Sequence, residues 1–264
     1  MTIIITGTSA GIGFTLAEFF GKKGHKVYGL SRKNIESTYF TTIPTDITDN
    51  AQIEMAVSEI LKKEKSIDVL INNAGMGMVG AVEDSTQQEI LKLFNLNLVG
   101  SVQMMSAVLP NMREQRSGKI INISSIASEM GLPFRGFYSA SKSALDKVTE
   151  AIRYEVSPWN IEVCALHLGD IKTKIAENRV KTNVSEPYEN TFNKVYSLIN
   201  AHVNDGTEPE EVAIYVEKLL ARKNWKAHYY FGKFGQKIGI PLKWILPQNF
   251  YENLMRKYNK MDRN

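Results

Sequence analysis

The chain has 264 residues, of which 43% are hydrophobic and 23% are charged. These values are ordinary for a globular protein of one large α/β domain or two small ones. The formal net charge of +4 at pH 7 is too small and too dispersed to indicate nucleic-acid binding, although it would suit an anionic cofactor.

Short β-branched runs alternate with longer helical patterns along the chain. The seven runs that we predict as strands are Ile3–Thr6, Lys26–Leu30, Phe40–Pro44, Val69–Ile71, Lys119–Ile123, Ile161–Leu166 and Ala227–Phe231. The clearest helical patterns are Ile12–Lys23, Ala51–Lys63, Glu89–Met112, Phe137–Glu155 and Glu208–Leu220. Because the strand runs lack polar alternation, both faces of the sheet should be buried. The sequence therefore predicts a doubly wound α/β fold, with a seven-stranded parallel sheet and helices on both faces.

Three further features limit the class of protein. The single cysteine, Cys164, lies in a β-like run and is predicted to be a buried core thiol. The four histidines lack metal-ligand spacing, so we expect no metal site. The run Thr2–Thr6 after Met1 is too short for a signal peptide or a membrane span, so the cytoplasm is the expected compartment. No repeat or linker composition divides the chain, which predicts one domain over residues 1–264.

A glycine-rich turn follows the first predicted strand. It contains Gly7, Gly11 and Gly13, and a helical pattern begins within it. Such a turn lets the backbone approach a dinucleotide, whose pyrophosphate then lies at the helix N-terminus. The spacing differs from G-x-G-x-x-G, so a plain glycine-rich turn is the alternative.

The end of the second predicted strand bears on the choice of cofactor. An acidic residue there would bind the ribose hydroxyls of NAD and repel the extra phosphate of NADP. This chain has Ser31 and Arg32 instead, followed by Lys33. A hydroxyl and a guanidinium group can both bind phosphate, which favours NADP over NAD. The alternative is that Arg32 and Lys33 are solvated loop cations.

A tyrosine and a lysine lie four residues apart in the pattern Phe137–Glu155. In a helix, Tyr138 and Lys142 would share a face. Tyr229 and Lys233 have the same spacing, but Tyr229 lies in a β-like run that is followed by Gly232 and Gly235, where this spacing does not put two side chains on one helical face. A tyrosine has an ordinary pKa of about 10, which a nearby ammonium group lowers and burial raises. We expect the lysine to outweigh burial only if the pocket stays partly wet or polar.

Together these motifs resemble the short-chain dehydrogenase/reductase family, in its branch of roughly 250 residues. The resemblance extends from residue 1 to about residue 232. Thr6–Gly13 matches the family's T-G-x-x-x-G-x-G turn, and Asn72–Gly75 matches its N-N-A-G motif. The catalytic tetrad of the family is matched by Asn97, Ser125, Tyr138 and Lys142. The resemblance implies a Rossmann-type oxidoreductase that moves a hydride between a nicotinamide and a carbonyl or alcohol carbon.

The resemblance also implies a role for each site residue. Tyr138 transfers the proton, Lys142 assists it and holds the nicotinamide ribose, Ser125 binds the substrate oxygen, and Asn97 keeps a water near the lysine. Leu168 stands where the family has a proline, so we expect a looser nicotinamide loop. The implied cofactor-binding residues are Gly7, Ser9, Gly11, Ile12, Gly13, Ser31, Arg32, Asp46, Ile47, Asn73, Ala74, Gly75, Tyr138, Lys142, Gly169, Ile171 and Thr173.

Two segments do not fit the βα repeat. Residues 174–206 correspond to the family's substrate lid. Their apolar residues favour a lipophilic substrate that is steroid-, retinoid- or acyl-like. The alternative is that these residues only pack the lid onto the body. Residues 225–264 form an aromatic and basic C-terminal extension, which Pro241 and Pro247 should break into short pieces. We expect this extension to be a packed lid or a subunit-contact arm, and membrane contact is the less favoured alternative. The apolar lid residues are Ile175, Tyr188, Phe192, Tyr196 and Leu198.

Three classes of function are compatible with these features. The favoured one is an active NADP-dependent carbonyl reductase or alcohol dehydrogenase, with 3-oxoacyl thioester reduction as one possibility. The others are a non-catalytic NADP(H)-binding redox sensor and an interaction protein that uses the C-terminal extension. The complete tetrad favours the enzyme, because a sensor has no need of Tyr138. The resemblance further implies a homodimer or homotetramer that associates through Glu89–Met112 and Phe137–Glu155.

Overall fold

The computed structural model describes residues 1–173 and 179–261 of the chain. Its strands are β1 (Thr2–Thr6), β2 (Lys26–Ser31), β3 (Thr41–Pro44), β4 (Val69–Asn72), β5 (Met78–Val79), β6 (Gly118–Ser125), β7 (Ile161–Leu168), β8 (Val180–Lys181) and β9 (His228–Phe231). Seven of them form one parallel sheet in the order β3-β2-β1-β4-β6-β7-β9. All seven predicted strands are confirmed, and so is the doubly wound fold.

Helices cover both faces of this sheet. They are α1 (Gly11–Lys22), α2 (Asn50–Lys63), α3 (Gln87–Phe94), α4 (Gly100–Glu114), α5 (Gly136–Val156), α6 (Glu186–Asn204), α7 (Pro209–Leu220), α8 (Phe234–Ile245) and α9 (Gln248–Tyr258). Successive side chains of a strand point to opposite faces. Accordingly, Ile3 and Ile5 of β1 pack in one core with α1 and α7, whereas Ile4 packs in a second core with α2 and α4. Cys164 is buried in the first core, as predicted.

The predicted helix Glu89–Met112 contains a π-helical turn. Between α3 and α4, residues Asn95–Val99 form this turn, which places Asn97 in the interior. The combined segment Gln87–Glu114 is long and apolar enough to cross a membrane by length and composition alone. Its Met104, Val108 and Met112 are fully buried against the sheet, which is the behaviour of a core helix.

The two segments outside the βα repeat contain elements that the sequence did not predict. β5 and β8 pair in a small second sheet beside α6. Lid residue Ile175 lies outside the described residues. The expectation that Pro241 ends a helical piece is wrong, because it lies inside α8, whereas Pro247 does separate α8 from α9. Pro241 is solvent-exposed, so water can reach the backbone carbonyl that loses its helical partner.

Candidate active site

The glycine turn has the geometry of an anion cradle. Gly7 and Gly11 have φ angles of +75° and +58°, in the left-handed region that favours glycine. A Cβ on Gly13 would lie 2.3 Å from the carbonyl oxygen of Gly7, so a side chain has no room there. In the described chain, no side chain caps the N-terminus of α1, and its first turn holds no acidic residue. The residues present therefore fit a dinucleotide pyrophosphate.

Asn72, the last residue of β4, and Asn73 connect the glycine turn to the sheet through hydrogen bonds. The backbone N–H groups of Asn73 and Ala74 donate to Oγ1 of Thr6 at 3.0 and 2.9 Å. Nδ2 of Asn73 donates to the Thr6 carbonyl oxygen at 3.0 Å. Nδ2 of Asn72 donates to Oδ1 of Asn122, on β6, at 2.9 Å. These bonds connect β1, β4 and β6 at the edge where the cofactor would lie.

The residues predicted near the adenosine end lie beside the turn. The backbone N–H of Gly7 donates to the carbonyl of Leu30 at 2.7 Å, which brings the end of β2 against the cradle. Oγ of Ser31 donates to the Lys33 carbonyl at 2.7 Å, and Arg32 is exposed. Asp46 follows β3, and its Oδ1 accepts hydrogen bonds from Thr48. In this arrangement Arg32, rather than Ser31, presents a free polar group to solvent.

The other predicted cofactor-binding residues lie in the glycine turn before α1 (Ser9), in the first turn of α1 (Ile12), after β3 (Ile47) and in the loop that follows β7. Although Leu168 replaces a proline, Gly169 donates to the Phe231 carbonyl at 2.8 Å, and Lys172 to the Thr207 carbonyl at 2.9 Å. These two hydrogen bonds hold the loop between Gly169 and Lys172, where Ile171 is buried, and the expectation that it is looser than a loop with proline stays a prediction. Thr173 lies against the glycine turn, 3.3 Å from the position of a Cβ on Gly11.

The predicted tyrosine, serine and lysine converge at the ends of β6 and α5. Oγ of Ser125 accepts from the Ala127 backbone N–H at 3.1 Å, and its side chain lies close enough to the Tyr138 phenol to influence the pKa of that phenol. Nζ of Lys142 donates to the Ile123 carbonyl at 2.7 Å. Burial lowers the pKa of Lys142 to about 8, against a smaller raising effect of Asp146. Tyr138 and Lys142 thus share one helical face, as their spacing predicted.

Asn97 reaches the same place from the π-helical turn. Its Oδ1 accepts from the Met76 backbone N–H at 2.8 Å, and its Nδ2 donates to the Met76 carbonyl at 3.0 Å and to Oγ of Ser141 at 3.1 Å. A Cβ on Gly75 would lie 3.2 Å from Oδ1 of Asn97 and 3.5 Å from Nζ of Lys142. The backbone of the N-N-A-G motif therefore passes directly over the asparagine and the lysine.

Burial is the largest influence on the catalytic phenol. It raises the pKa of Tyr138, while the hydrogen bond with Ser125 and the charges of Arg135 and Arg179 lower it. The net effect is a raised pKa, so the lowering expected from Lys142 is not found. Sequence reasoning missed both arginines. Arg135 lies three residues before Tyr138 and could have been found from helical spacing, whereas Arg179 comes from the lid segment.

A buried polar cluster under the lysine was also missed. His167 on β7 is fully buried, and burial lowers its pKa. Its Nδ1 lies 3.7 Å from Asp146 Oδ2, and its Nε2 lies 2.9 Å from Nδ1 of His228. Nε2 of His228 lies 3.0 Å from Glu150 Oε1. Within residues 1–173 and 179–261, no group of three such side chains is arranged to hold a metal.

Comparison with known proteins identifies the chain. The family model described as short chain dehydrogenase matches residues 1–184. A 3-ketodihydrosphingosine reductase of Bacteroides thetaiotaomicron is 39% identical over 258 residues, with 96% of each chain covered. An NADPH-dependent 3-dehydrocapnine reductase of Ornithobacterium rhinotracheale is 32% identical over 239 residues, with 85% of this chain and 82% of the relative covered.

A solved structure agrees with these sequence matches. The crystal structure of a short-chain dehydrogenase from Streptomyces avermitilis superimposes with a TM-score of 0.83 at 25% identity, covering 98% of this chain and 97% of that one. The sequence relatives, the parallel sheet and the converging tetrad describe a hydride-transferring oxidoreductase that acts on a carbonyl or alcohol and binds a nicotinamide dinucleotide. The chain therefore belongs to the short-chain dehydrogenase/reductase family.

Proposed function

We propose that the protein reduces the ketone of a long-chain lipid with NADPH as the electron donor. One observation carries this proposal: Tyr138 and Lys142 on α5 lie with Ser125 at the end of β6, at the strand ends next to the glycine cradle. The names of the two sequence relatives, a 3-ketodihydrosphingosine reductase and an NADPH-dependent 3-dehydrocapnine reductase, support the direction and the substrate class.

Tyr138 is the proton donor of the proposed reduction. NADPH, when bound, would supply the hydride that reduces the carbonyl carbon and would itself be oxidised to NADP⁺. A phenol whose pKa is raised stays protonated at neutral pH, so Tyr138 is ready to give its proton to the carbonyl oxygen. Ser125 can hydrogen-bond the same oxygen as negative charge develops on it. The charges of Arg135 and Arg179 then stabilise the phenolate that Tyr138 becomes.

Some of the apolar residues of the lid segment favour a lipophilic substrate, and others only pack the lid. Phe192 is buried and packs against Phe134, with ring centroids 5.3 Å apart, so this residue serves the packing of the lid. Phe134 and Tyr196 remain partly exposed beside it. Phe134 has a φ angle of +56°, a strained value for a non-glycine residue. Such strain is concentrated at functional sites, which favours Phe134 as a residue that contacts the substrate.

Turnover assays would test this function directly. Purified protein is mixed with NADPH and, separately, with 3-ketodihydrosphingosine, a 3-oxoacyl thioester and a short soluble ketone. We expect the fastest loss of NADPH absorbance with the long-chain ketone. Faster turnover of the thioester would make the protein a 3-oxoacyl thioester reductase. Tight NADPH binding without turnover of any ketone would instead support a redox-sensing module.

The preference for NADP rests on Arg32 and has its own test. We expect Arg32→Ala to weaken NADPH binding while leaving NADH binding nearly unchanged, because only NADPH carries the additional phosphate on the adenosine ribose. Lys33→Ala is the matched control, since Lys33 is also exposed and its neighbour in sequence. Tighter binding of NADH than NADPH to the unmodified protein would contradict the preference.

A further inference from the structure

Helix α8 exposes the face that an amphipathic helix normally buries. Phe234, Ile238, Pro241 and Ile245 recur at helical spacing and form one stripe, on which Phe234 is 76% and Ile245 75% exposed. The opposite side carries polar groups that bond to the body: Gln236 donates to Asp170, and Lys243 donates to the Glu129 carbonyl. No residue of α8 is buried.

Neighbouring side chains enlarge this exposed apolar surface. Trp244 on α8 is 77% exposed, and Phe250 and Leu254 on α9 are 61% and 40% exposed. We call the surface formed by Phe234, Ile238, Pro241, Trp244, Ile245, Phe250 and Leu254 the tail face. Large apolar side chains exposed in this number on two helices in contact mark an interaction site rather than ordinary solvent-facing surface.

The positive charge of the protein is concentrated in the same segment. Residues Phe234–Met261 contain five cations and one acid, Glu252, a net charge of +4. The whole chain also has a net charge of +4, so the remaining residues are balanced overall. The cations are Lys237, Lys243, Arg256, Lys257 and Lys260. The natural complement of the tail face is therefore an apolar surface with negative charge at its edge.

We propose that α8 and α9 dock on an anionic lipid membrane. A 12-residue helix is too short to span a bilayer but suits one that lies in the interface, with its apolar side in the acyl region. Tryptophan prefers this interface, and lysine and arginine are attracted to anionic lipid headgroups. A second copy of the chain is a poorer occupant, because a symmetric contact would bring two segments of charge +4 together.

The sides of α8 and α9 that face the body of the protein adjoin the active site. Gln236 contacts the loop after β7, and a Cβ on Gly169 would lie 2.2 Å from its Oε1. The hydroxyl of Tyr251 donates to Sδ of Met130, five residues after the catalytic serine. Docking would thus place the substrate crevice beside the membrane, which suits a lipid substrate. Only this last point rests on the proposed function, since the docking itself does not require catalysis.

Vesicle flotation with the full chain would test the docking. We expect binding to phosphatidylcholine vesicles that contain phosphatidylserine, weaker binding at high salt, and little binding to pure phosphatidylcholine. The double variant Trp244→Ala/Ile245→Ser should lose at least tenfold in vesicle binding. Met55→Ser is the matched control, because Met55 is an exposed apolar residue of α2, 64% accessible, away from this segment.

Two outcomes would overturn the proposal. One is that the unmodified protein fails to float with anionic vesicles, or that the double variant floats equally well. The other is that light scattering shows the double variant to form a smaller oligomer than the unmodified protein, which would make the tail face a subunit contact. Unchanged NADPH binding and thermal unfolding would show that the double variant is folded. Turnover of a short soluble ketone reports separately on the proposed reductase activity.

Discussion

Helices α1 and α8, near the two ends of the chain, place their apolar stripes in opposite environments. In α1, Leu16, Ala17 and Phe20 face the sheet and are buried in its core. In α8, the apolar stripe faces solvent and the polar side bonds to the body. Both helices have the same length and are amphipathic. The comparison teaches that an apolar stripe stabilises the fold in α1, whereas in α8 it is available for an interaction.

The largest expected effect is the loss of catalysis in a variant of Tyr138, which a variant of the tail face should not share. Tyr138→Phe removes the proton donor, and we expect kcat for ketone reduction to fall about 10²–10⁴-fold while NADPH still binds. Steady-state kinetics with a short soluble ketone measures this loss. The matched comparison is Trp244→Ala/Ile245→Ser, which should keep the kcat of the unmodified protein with that soluble substrate. Full activity of Tyr138→Phe would remove the phenol from the mechanism.

Substitutions of Gly13, in α1, and Gly235, in α8, compare the two helices by their effect on the free energy of unfolding. Gly13→Ala would place Cβ 2.3 Å from the Gly7 carbonyl oxygen and 2.4 Å from Nδ2 of Asn73, so the cradle must distort. We expect a loss of about 1–3 kcal/mol in the free energy of unfolding, together with weaker NADPH binding. Gly235→Ala meets no atom within 4 Å and lies in α8, so it should stabilise by about 0.4–1 kcal/mol. Equal effects of the two substitutions in urea unfolding would contradict this prediction.

The buried lysine gives a pH-dependent prediction. The pKa of Lys142 is about 8 in the folded protein against 10.5 ordinarily, so the unfolded chain binds more protons between these values. Stability contributed by this group therefore rises with pH from about 8 to 10.5, and below pH 8 its buried charge has a net cost. We expect Lys142→Met to raise the free energy of unfolding at pH 7 by about 1–3 kcal/mol, while abolishing turnover.

Urea unfolding at pH 7 and pH 10 measures this effect. The advantage of the methionine variant should shrink at the higher pH, because the lysine of the unmodified protein is then largely neutral when folded. Lower stability of Lys142→Met at pH 7 would show instead that the hydrogen bond to the Ile123 carbonyl outweighs the cost of burial.

The smallest expected effect is that of the tail variant on stability. Trp244→Ala/Ile245→Ser replaces side chains that are 77% and 75% exposed, so little buried contact is lost. We expect the free energy of unfolding to change by no more than about 0.5 kcal/mol. A larger loss in urea unfolding would mean that the tail face packs against the protein, and the contrast with α1 would fail.

The sequence by itself determined the strands of the sheet, because the patterns that predict a strand lie within a few consecutive residues. Each strand is a short run that contains β-branched or aromatic residues and needs no distant partner to be recognised, and all seven were predicted within a few residues of their observed bounds. The same holds for the cradle of Gly7, Gly11 and Gly13 and for the shared face of Tyr138 and Lys142. In these motifs, neighbours in sequence are also neighbours in space.

Only the tertiary structure brought together groups that lie far apart in the chain. The charge of Arg179 reaches Tyr138 from the lid, and His167 contacts His228, 61 residues away, beneath the lysine. Asn97, on the π-helical turn, is hydrogen-bonded to the backbone of Met76, 21 residues earlier in the chain. The direction of the stripe on α8 was decided in the same way. A periodic pattern shows that a helix has an apolar side, but packing against the rest of the molecule decides whether that side faces the core or the solvent.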